Sequence, residues 1–513
     1  MEDTHVNQSH PQIPIQSIIP VQPNAHDPLL GIQSSSQSNY CKIFAYGSAE
    51  CDQFYNEDQF YERKKPFEIV YFSLQNHIKV VKIACGSQHT LILSDEGQVF
   101  TFGNSDDGCL GREITNSSTI PGLVHLPIAV DLISAGDAHS VTANSVTGVL
   151  FVWGCVKSSL KGKLFKYDLP EEKKYYFFSK GIQDVKSGGN HIVILSHRHV
   201  YSWGENDTGA LGTVFRGDLE DKKIFEPNAI GVKSVRRIFV GKNATFLETL
   251  KGKIYACGLN NYGQLGKKPE TETERWLIPK RMNGIDGNHV LDIVGGEHHT
   301  LILTDDYKVL GAGRNDDGQL GEFEEGIEES EGNNEDKSEQ DKELNNEVSN
   351  LMNEENGHGH QSNGFHPSET NGQAKRKTSF DDKKSVSSKW EENYESEFKP
   401  LKNLPKIDKI WTSSHFNYAR EKDGLNFYGW GFGESYVLGN GRDDSVYVPW
   451  KINNEKFWAN KLPTEIALGH SHIVFTNDRL GDLQKLRECV LQAKKRPSSK
   501  RPVSRTNKRM RDD

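Results

Sequence analysis

Seven times along this chain an aromatic or small residue followed by glycine opens a turn. Three copies are near-identical: "YSWGENDTGALG" (Tyr201 to Gly212), "YACGLNNYGQLG" (Tyr255 to Gly266) and "LGAGRNDDGQLG" (Leu310 to Gly321). The turn glycines are Gly47, Gly103, Gly154, Gly204, Gly258, Gly313 and Gly431, so the first five intervals are 56, 51, 50, 54 and 55 residues and the sixth is 118. A second motif, built on Gly-x-x-His, precedes each later turn: "ACGSQHTLIL", "SAGDAHSVTA", "KSGGNHIVIL", "FVGKNATFLE", "VGGEHHTLIL" and "TSSHFNYARE", with "ALGHSHIVFT" after the last. Two motifs recurring with one period constrain the fold tightly, because each repeat is a unit that can bury its faces only against its neighbours.

Between the motifs the chain reads as short strands, as in "HTLIL", a D-x-G turn, then "VFTFG". No long helix intervenes, and a period near 50 residues is that of a propeller blade. The expected fold is therefore all-β, a seven-bladed β-propeller over residues 41–478. "KIFAYG" (Lys42 to Gly47) lacks a preceding Gly-x-x-His strand, and "ALGHSHIVF" (Ala467 to Phe475) lacks a following turn. Each end supplies what the other lacks, so the last blade is expected to be shared between N- and C-terminal strands.

Composition sets the rest. Residues 322–399, inside the long sixth interval, are acidic, polar and poor in aromatics, and are expected to form a disordered insertion, as are residues 1–40 at the N-terminus. "DRLGDLQKLRECVLQAKK" places Leu480, Leu483, Leu486, Val490 and Leu491 at helical spacing, which predicts a short helix over 479–493. A basic tail follows over 494–513. The formal net charge is −9, yet Lys494 to Arg511 carries nine Lys/Arg and no acid, leaving −18 on the remainder. Seven cysteines without a C-x-x-C pair argue against a disulfide framework and a zinc site, and point to a reducing compartment. No apolar run of membrane-span length occurs and "MEDTHVNQSH" lacks the features of a signal peptide, so a protein that is neither secreted nor membrane-bound is expected. Asn206-Asp207-Thr208 lies in the repeated turn and reads as turn chemistry rather than a glycosylation site.

These two motifs, seven times over, resemble the regulator of chromosome condensation family, whose founding members are nuclear exchange factors for the small GTPase Ran. The seventh unit, "FYGWGFGESYVLGNGRDDSVYVP", is similar to the family's closing blade, including the acidic pair Asp443 and Asp444. "ISAGDAHS" and "VGGEHHTLIL" match as well. The resemblance implies that one propeller face grips Ran while a wedge from the third blade presses at its phosphate site. Carried over by motif, the gripping face takes in Asp137, His298, His299 and His472, with His89 and His191 in related positions. The family's acid in "SGxDH" is Asn190 here, and the wedge, acidic in the founding members, reads "CVKSSLKG" and so centres on Lys157, Ser158, Ser159 and Leu160. Phe215 to Arg237 is shorter than the family's histone-touching loop, and the basic arm sits at the C-terminus instead of the N-terminus.

Read as residues alone, the recurrent glycines and histidines look structural, whereas the two positions between Gly and His vary from blade to blade. They carry Asp137, Lys242, Glu297, His470, Asn190, His298 and His415 in different units. Clustered on one face, such residues would make a polar docking surface. "GQLGKK" fails the phosphate-loop pattern, and no metalloprotease, hydrolase or kinase signature occurs, so neither cofactor nor covalent chemistry is expected. The tail cations Lys494, Lys495, Arg496, Lys500, Arg501, Lys508, Arg509 and Arg511 read as a bipartite import signal that could also contact DNA phosphates. The expected protein is thus a nuclear, chromatin-associated exchange factor for Ran, with import receptors and chromatin (histones or DNA) as further partners. A non-catalytic propeller scaffold for another nuclear partner is the alternative.

Overall fold

The computed structural model describes residues 41–54, 61–73, 78–114, 117–158, 163–167, 174–214, 227–324, 394–422, 424–459, 461–478, 481 and 483–495. Their strands form seven antiparallel sheets, numbered here as blades 1–7 in the order of their turn glycines. Blade 2 shows the plan: Val80–Cys85, His89–Ser94, Val99–Gly103 and Gly122–Val124 pair in chain order. The first strand of each blade lies innermost. Val80–Cys85 contacts Leu132–Ala135, then follow Asp184–Ser187, Val235–Val240, Val290–Gly295, Ile407–Thr412 and Glu465–Leu468, which returns to Val80–Cys85. The ring is closed.

Closure occurs in blade 1, as the complementary ends of the sequence predict. Glu465–Leu468 and His472–Thr476 join Ile43–Ser48 and Glu62–Glu68 in one sheet, with Gly47 opposite His472. Phe44 stacks on Phe475 with ring centroids 5.2 Å apart, and Tyr46, Phe457 and Trp458 complete an aromatic cluster against blade 7.

The joint between blades explains why both sequence motifs recur together. In blade 3, Trp153 Nε1 donates to the Cys109 carbonyl of blade 2 at 2.7 Å, and Ser140 Oγ donates to the same oxygen at 2.8 Å. His89 Nε2 of blade 2 meets that hydroxyl at 2.9 Å. Since the hydroxyl proton already serves the carbonyl, the neutral histidine must be the donor, through Nε2–H. Blades 4 and 5 repeat the joint through His191, Thr245 and the Ala210 carbonyl. Blades 6 and 7 repeat it through His299, Asn417 and the Gln319 carbonyl, with Trp430 Nε1 on that carbonyl too. The turn supplies the carbonyl, the Gly-x-x-His loop supplies the ring, and the next blade supplies the hydroxyl or amide that links them.

In the five loops that end in histidine, the first position is glycine and the imidazole lies over it; blade 5 has Ala244 instead, and its Gly241 faces Gly295 of blade 6. An added Cβ on Gly188 would stand 2.1 Å from His191 Cε1. Blade 7 has Phe416 in place of histidine, and Ser413 replaces the glycine there.

Three details depart from the sequence reading. Tyr394–Pro400 forms the outer strand of blade 6, pairing Gly313 with Glu395, and Phe323 bridges Leu401, so the expected insertion 322–399 is too broad at both edges. Alternating residues of "YESEFKP" cover the blade edge, and Phe398 packs against the core of blades 5 and 6, a pattern lost within the acidic composition. Residues 325–393 lie outside the described residues, as do 1–40. The C-terminal helix is Leu483–Lys495, not 479–493, so Lys494 and Lys495 end the helix instead of opening the tail. Leu486 and Val490 fix it beneath blades 2 and 3, where Lys485 Nζ reaches Glu96 Oε1 at 3.0 Å and Asp95 Oδ1 at 3.3 Å.

Candidate functional site: a polar docking face

Antiparallel pairing sends the Gly-x-x-His loops, between first and second strands, and the repeated turns, between third and fourth, to the same end of the ring. The D-x-G turns lie at the other end, and there the C-terminal helix docks. Both sets of motif-bearing loops therefore share one face, opposite the root of the basic tail.

At the centre of this face the loops are sewn together by backbone hydrogen bonds. Ser87 N bonds to Asp137 O, Asp137 N to Gly189 O, Gly189 N to Lys242 O, Glu297 N to Ser414 O and His470 N to Ser87 O, at 2.9–3.2 Å. Lys242 N is shared between Gly295 O and Gly296 O. Below this annulus lies an axial cavity of about 200 Å³ walled by the loops and the ends of the first strands.

The side chains on the annulus form one charged network. Lys242 Nζ of blade 5 stands 3.2 Å from Glu297 Oε2 of blade 6, 3.6 Å from Asp137 Oδ2 of blade 3 and 3.0 Å from Ser414 Oγ of blade 7. Ser87 Oγ donates to Asp137 Oδ1 at 2.9 Å. Glu297 also faces His415 Nε2 at 3.5 Å and His298 Nε2 at 3.7 Å. The hydrogen bond from His415, with Lys242 adding to it, holds the Glu297 carboxyl well below the usual carboxylate range. Burial pushes His298 down to about 4, so it is neutral at pH 7. The network continues outward: Tyr262 packs edge-on to His298 at 5.1 Å, and Arg314 lies over Tyr262 at 5.6 Å while bonding Asp316.

Around this centre several turns carry acids: Asp106, Asp207 and Asp316 share one position of the turn, Asp107 and Asp317 the next, and Glu205, Asp443 and Asp444 stand elsewhere in theirs. In the turns the asparagines are structural, since Asn206, Asn260 and Asn315 each accept from the leucine amide five residues on. This agrees with reading Asn206 as turn chemistry.

Asp137 and His298 are therefore half-exposed on the face, and Asn190 sits there too, its amide held by Glu205 Oε2 at 2.6 Å. Asp443 and Asp444 are exposed in the blade 7 loop, where Tyr436 N donates to Asp443. His89, His191, His299 and His472 are not on the surface: they are 0–2% exposed. Their rings point between blades, so they hold the loops and cannot touch a partner. Lys157 and Ser158 end a ten-residue strand, Val149–Ser158, that is longer than the third strands of the other blades and pairs with Lys163–Tyr167. Ser159 and Leu160 lie outside the described residues, as do Arg496, Lys500, Arg501, Lys508, Arg509 and Arg511 of the tail.

Lys242 and Glu297 hold the centre, although motif matching singles out neither. The signal was their divergence within an otherwise constant loop. Tyr262 and Arg314 carried no signal beyond being variable turn residues. Among the described residues no His, Cys, Asp and Glu cluster has metal-site geometry, and no helix is long and apolar enough to cross a membrane.

The described residues thus define a class of protein, a closed seven-bladed propeller that gathers both of its repeated loops on one polar face. Residues 42–475 match the RCC1-like domain, and the chain belongs to that family. It is 25% identical to human "Regulator of chromosome condensation" over 456 residues, covering 84% of this chain and 89% of the relative. It is likewise 25% identical to the Saccharomyces cerevisiae "Guanine nucleotide exchange factor SRM1", covering 75% of this chain and 76% of that one. Among solved structures, Prp20p from Saccharomyces cerevisiae, reported with "Its Binding Properties to Gsp1p and Histones", superposes with a TM-score of 0.66 at 22% identity over 89% of this chain and 95% of that one.

Proposed function

We propose that this protein is a guanine-nucleotide exchange factor that promotes GDP release from, and GTP loading of, the small GTPase Ran on chromatin. The observation that carries the reading is the central network of Asp137, Lys242, Glu297 and His298, mounted on a hydrogen-bonded annulus and flanked by acids in the turns of blades 2, 4, 6 and 7. It offers a partly desolvated, mainly acidic surface suited to a partner with a basic face. The names of relatives that match most of the chain support the identity of that partner.

Exchange needs no covalent step. A protein that binds the nucleotide-free GTPase more tightly than the loaded form lowers nucleotide affinity by the same coupling factor, because linkage is reciprocal. Asp137, Asn190, His298, Asp443 and Asp444 would contact the GTPase, and the blade 3 hairpin around Lys157 would press beside the phosphate site. The buried joints contribute by preventing the loops from relaxing around a loaded partner. The basic tail, rooted on the opposite face, leaves both faces free for simultaneous contacts with chromatin (histones or DNA) and with import receptors, consistent with a nuclear location.

One observation favours a second reading, a scaffold for another nuclear partner: the hairpin carries Lys157 where the founding members carry acids. The deciding experiment times release of fluorescent GDP from Ran with catalytic protein and excess GTP. Acceleration of at least tenfold is expected at low salt; none, with folded protein and active Ran, would leave the scaffold.

A further inference from the structure

Seven loops ring the axial mouth, and the residue after each first loop position is Ser87, Asp137, Gly189, Lys242, Glu297, Ser414 or His470. Blade 5 alone places a lysine there. That lysine does not point to solvent but reaches across the mouth to blades 3, 6 and 7, and it also walls the axial cavity.

We infer that Lys242 is an internal stand-in for a basic side chain of the partner: on docking, a lysine or arginine of the partner takes its place between Glu297 and Asp137. The inference rests on the docking reading and names the chemistry at its centre.

Three observations support it. The two carboxylates are about one-third exposed, 33% for Asp137 and 31% for Glu297, so an incoming cation can reach them while water screens the pair less than on an open surface. Lys242 holds them at 3.6 and 3.2 Å, longer than the 2.7–2.9 Å of a strong charge-assisted bond, so its grip leaves room for a better-placed donor. The cavity that Lys242 lines gives the displaced side chain somewhere to turn, and the surrounding acidic turns draw a basic partner toward the mouth. The other groups facing Glu297 are His298 and His415, with His470 beyond on Ser414 Oγ at 3.2 Å, and none supplies a second permanent cation.

A purely cementing role for Lys242 gives the opposite sign. If Lys242 only cements the annulus, removing it weakens every partner contact. If it competes with a partner cation, removing it strengthens them. The test measures binding of fluorescein-labelled hexalysine at low salt, and separately of nucleotide-free Ran, to the full chain carrying K242M, K242R or K242M with E297Q. K242M should bind both about tenfold more tightly, K242R should stay within about twofold, and E297Q in the K242M background should return binding to the wild-type level or below. Weaker or unchanged hexalysine binding by K242M, with its melting temperature preserved, would overturn the inference. Should K242M fail to fold, Ser414→Ala removes one partner of Lys242 at no charge cost and should tighten binding about threefold; no tightening would equally overturn it. The hexalysine arm does not depend on exchange, so a failure of wild-type protein to release GDP from Ran removes the exchange reading while leaving this result to stand or fall by itself.

Discussion

Within each Gly-x-x-His loop the outer and middle positions live in different environments. His191 is buried and bonded across to blade 5, while Asn190, one residue earlier, is on the docking face. Adjacent residues point to opposite sides of the loop, so a single four-residue motif builds the ring with its ends and displays chemistry with its middle. A repeat can thus hold the joint constant and let the face diverge without loss of stability.

Substitutions on the two sides should separate most sharply at the turn glycine that packs onto the loop. Gly204 has φ +117°, and an added Cβ would lie 2.4 Å from Asn190 O and 2.9 Å from His191 Cα, both backbone atoms that cannot move independently. Gly204→Ala is expected to destabilise by about 3 kcal/mol or more, whereas Asp137→Asn should change stability by less than about 0.5 kcal/mol. Denaturant unfolding followed by circular dichroism would measure both. Partner binding should show the reverse order once folded protein is compared. Equal destabilisation by the two would break the division between joint and face.

Acid should attack the joints before the face. Burial pushes His89, His191 and His299 down to about 4, and His139 and His472 to about 3. In the unfolded chain these rings titrate near 6.5, so between about pH 6.5 and 4 the unfolded state binds more protons and stability rises with pH. The histidine contribution is complete above pH 6.5 and is lost as pH falls through the folded values, with each ring adding about 1.4 kcal/mol per pH unit to the slope inside the window. Melting temperatures measured from pH 7.5 to 4.5 should fall steeply below 6.5, and the fall should shrink when His191 is replaced by leucine. A flat profile over that range would show that the rings are not held neutral.

The joints were legible in the sequence because they repeat: seven turn glycines announce blades, and complementary ends announce closure. The face was legible only as a set of places. Asp137 and His298 could be named from family motifs, but Lys242 meets Glu297 from 55 residues away and Ser414 from 172, and only ring closure sets those distances. Assigning His89, His191, His299 and His472 to the surface failed for a related reason. A motif match locates a residue along the loop but not the side from which its ring projects, and projection is decided by the hydroxyl or amide waiting on the next blade. The edges of the insertion were hidden because the charged strand Tyr394–Pro400 is an outer one, half in water, with composition close to that of the segment before it.

The smallest expected effect probes a joint that lacks its second half. Position for position, the partners facing the histidines are Ser140 for His89, Thr245 for His191, Asn417 for His299 and Thr90 for His472. For His139 the equivalent residue of blade 4 is Ile192, and among the described residues neither ring nitrogen of His139 has a hydrogen-bond partner. A buried polar group left unpaired costs about 1–3 kcal/mol, whereas a made hydrogen bond contributes about 1 kcal/mol. His139→Leu should therefore leave stability at pH 7 unchanged or raise it by about 1 kcal/mol, while His191→Leu should lower it by about 1 kcal/mol. The contrast isolates the hydrogen bond from the shape of the ring, since both substitutions put the same side chain over the same kind of glycine. If both variants lost stability equally, packing of the imidazole against Gly136 and Gly188 would be what the motif conserves across blades, and the hydroxyl on the next blade would be incidental.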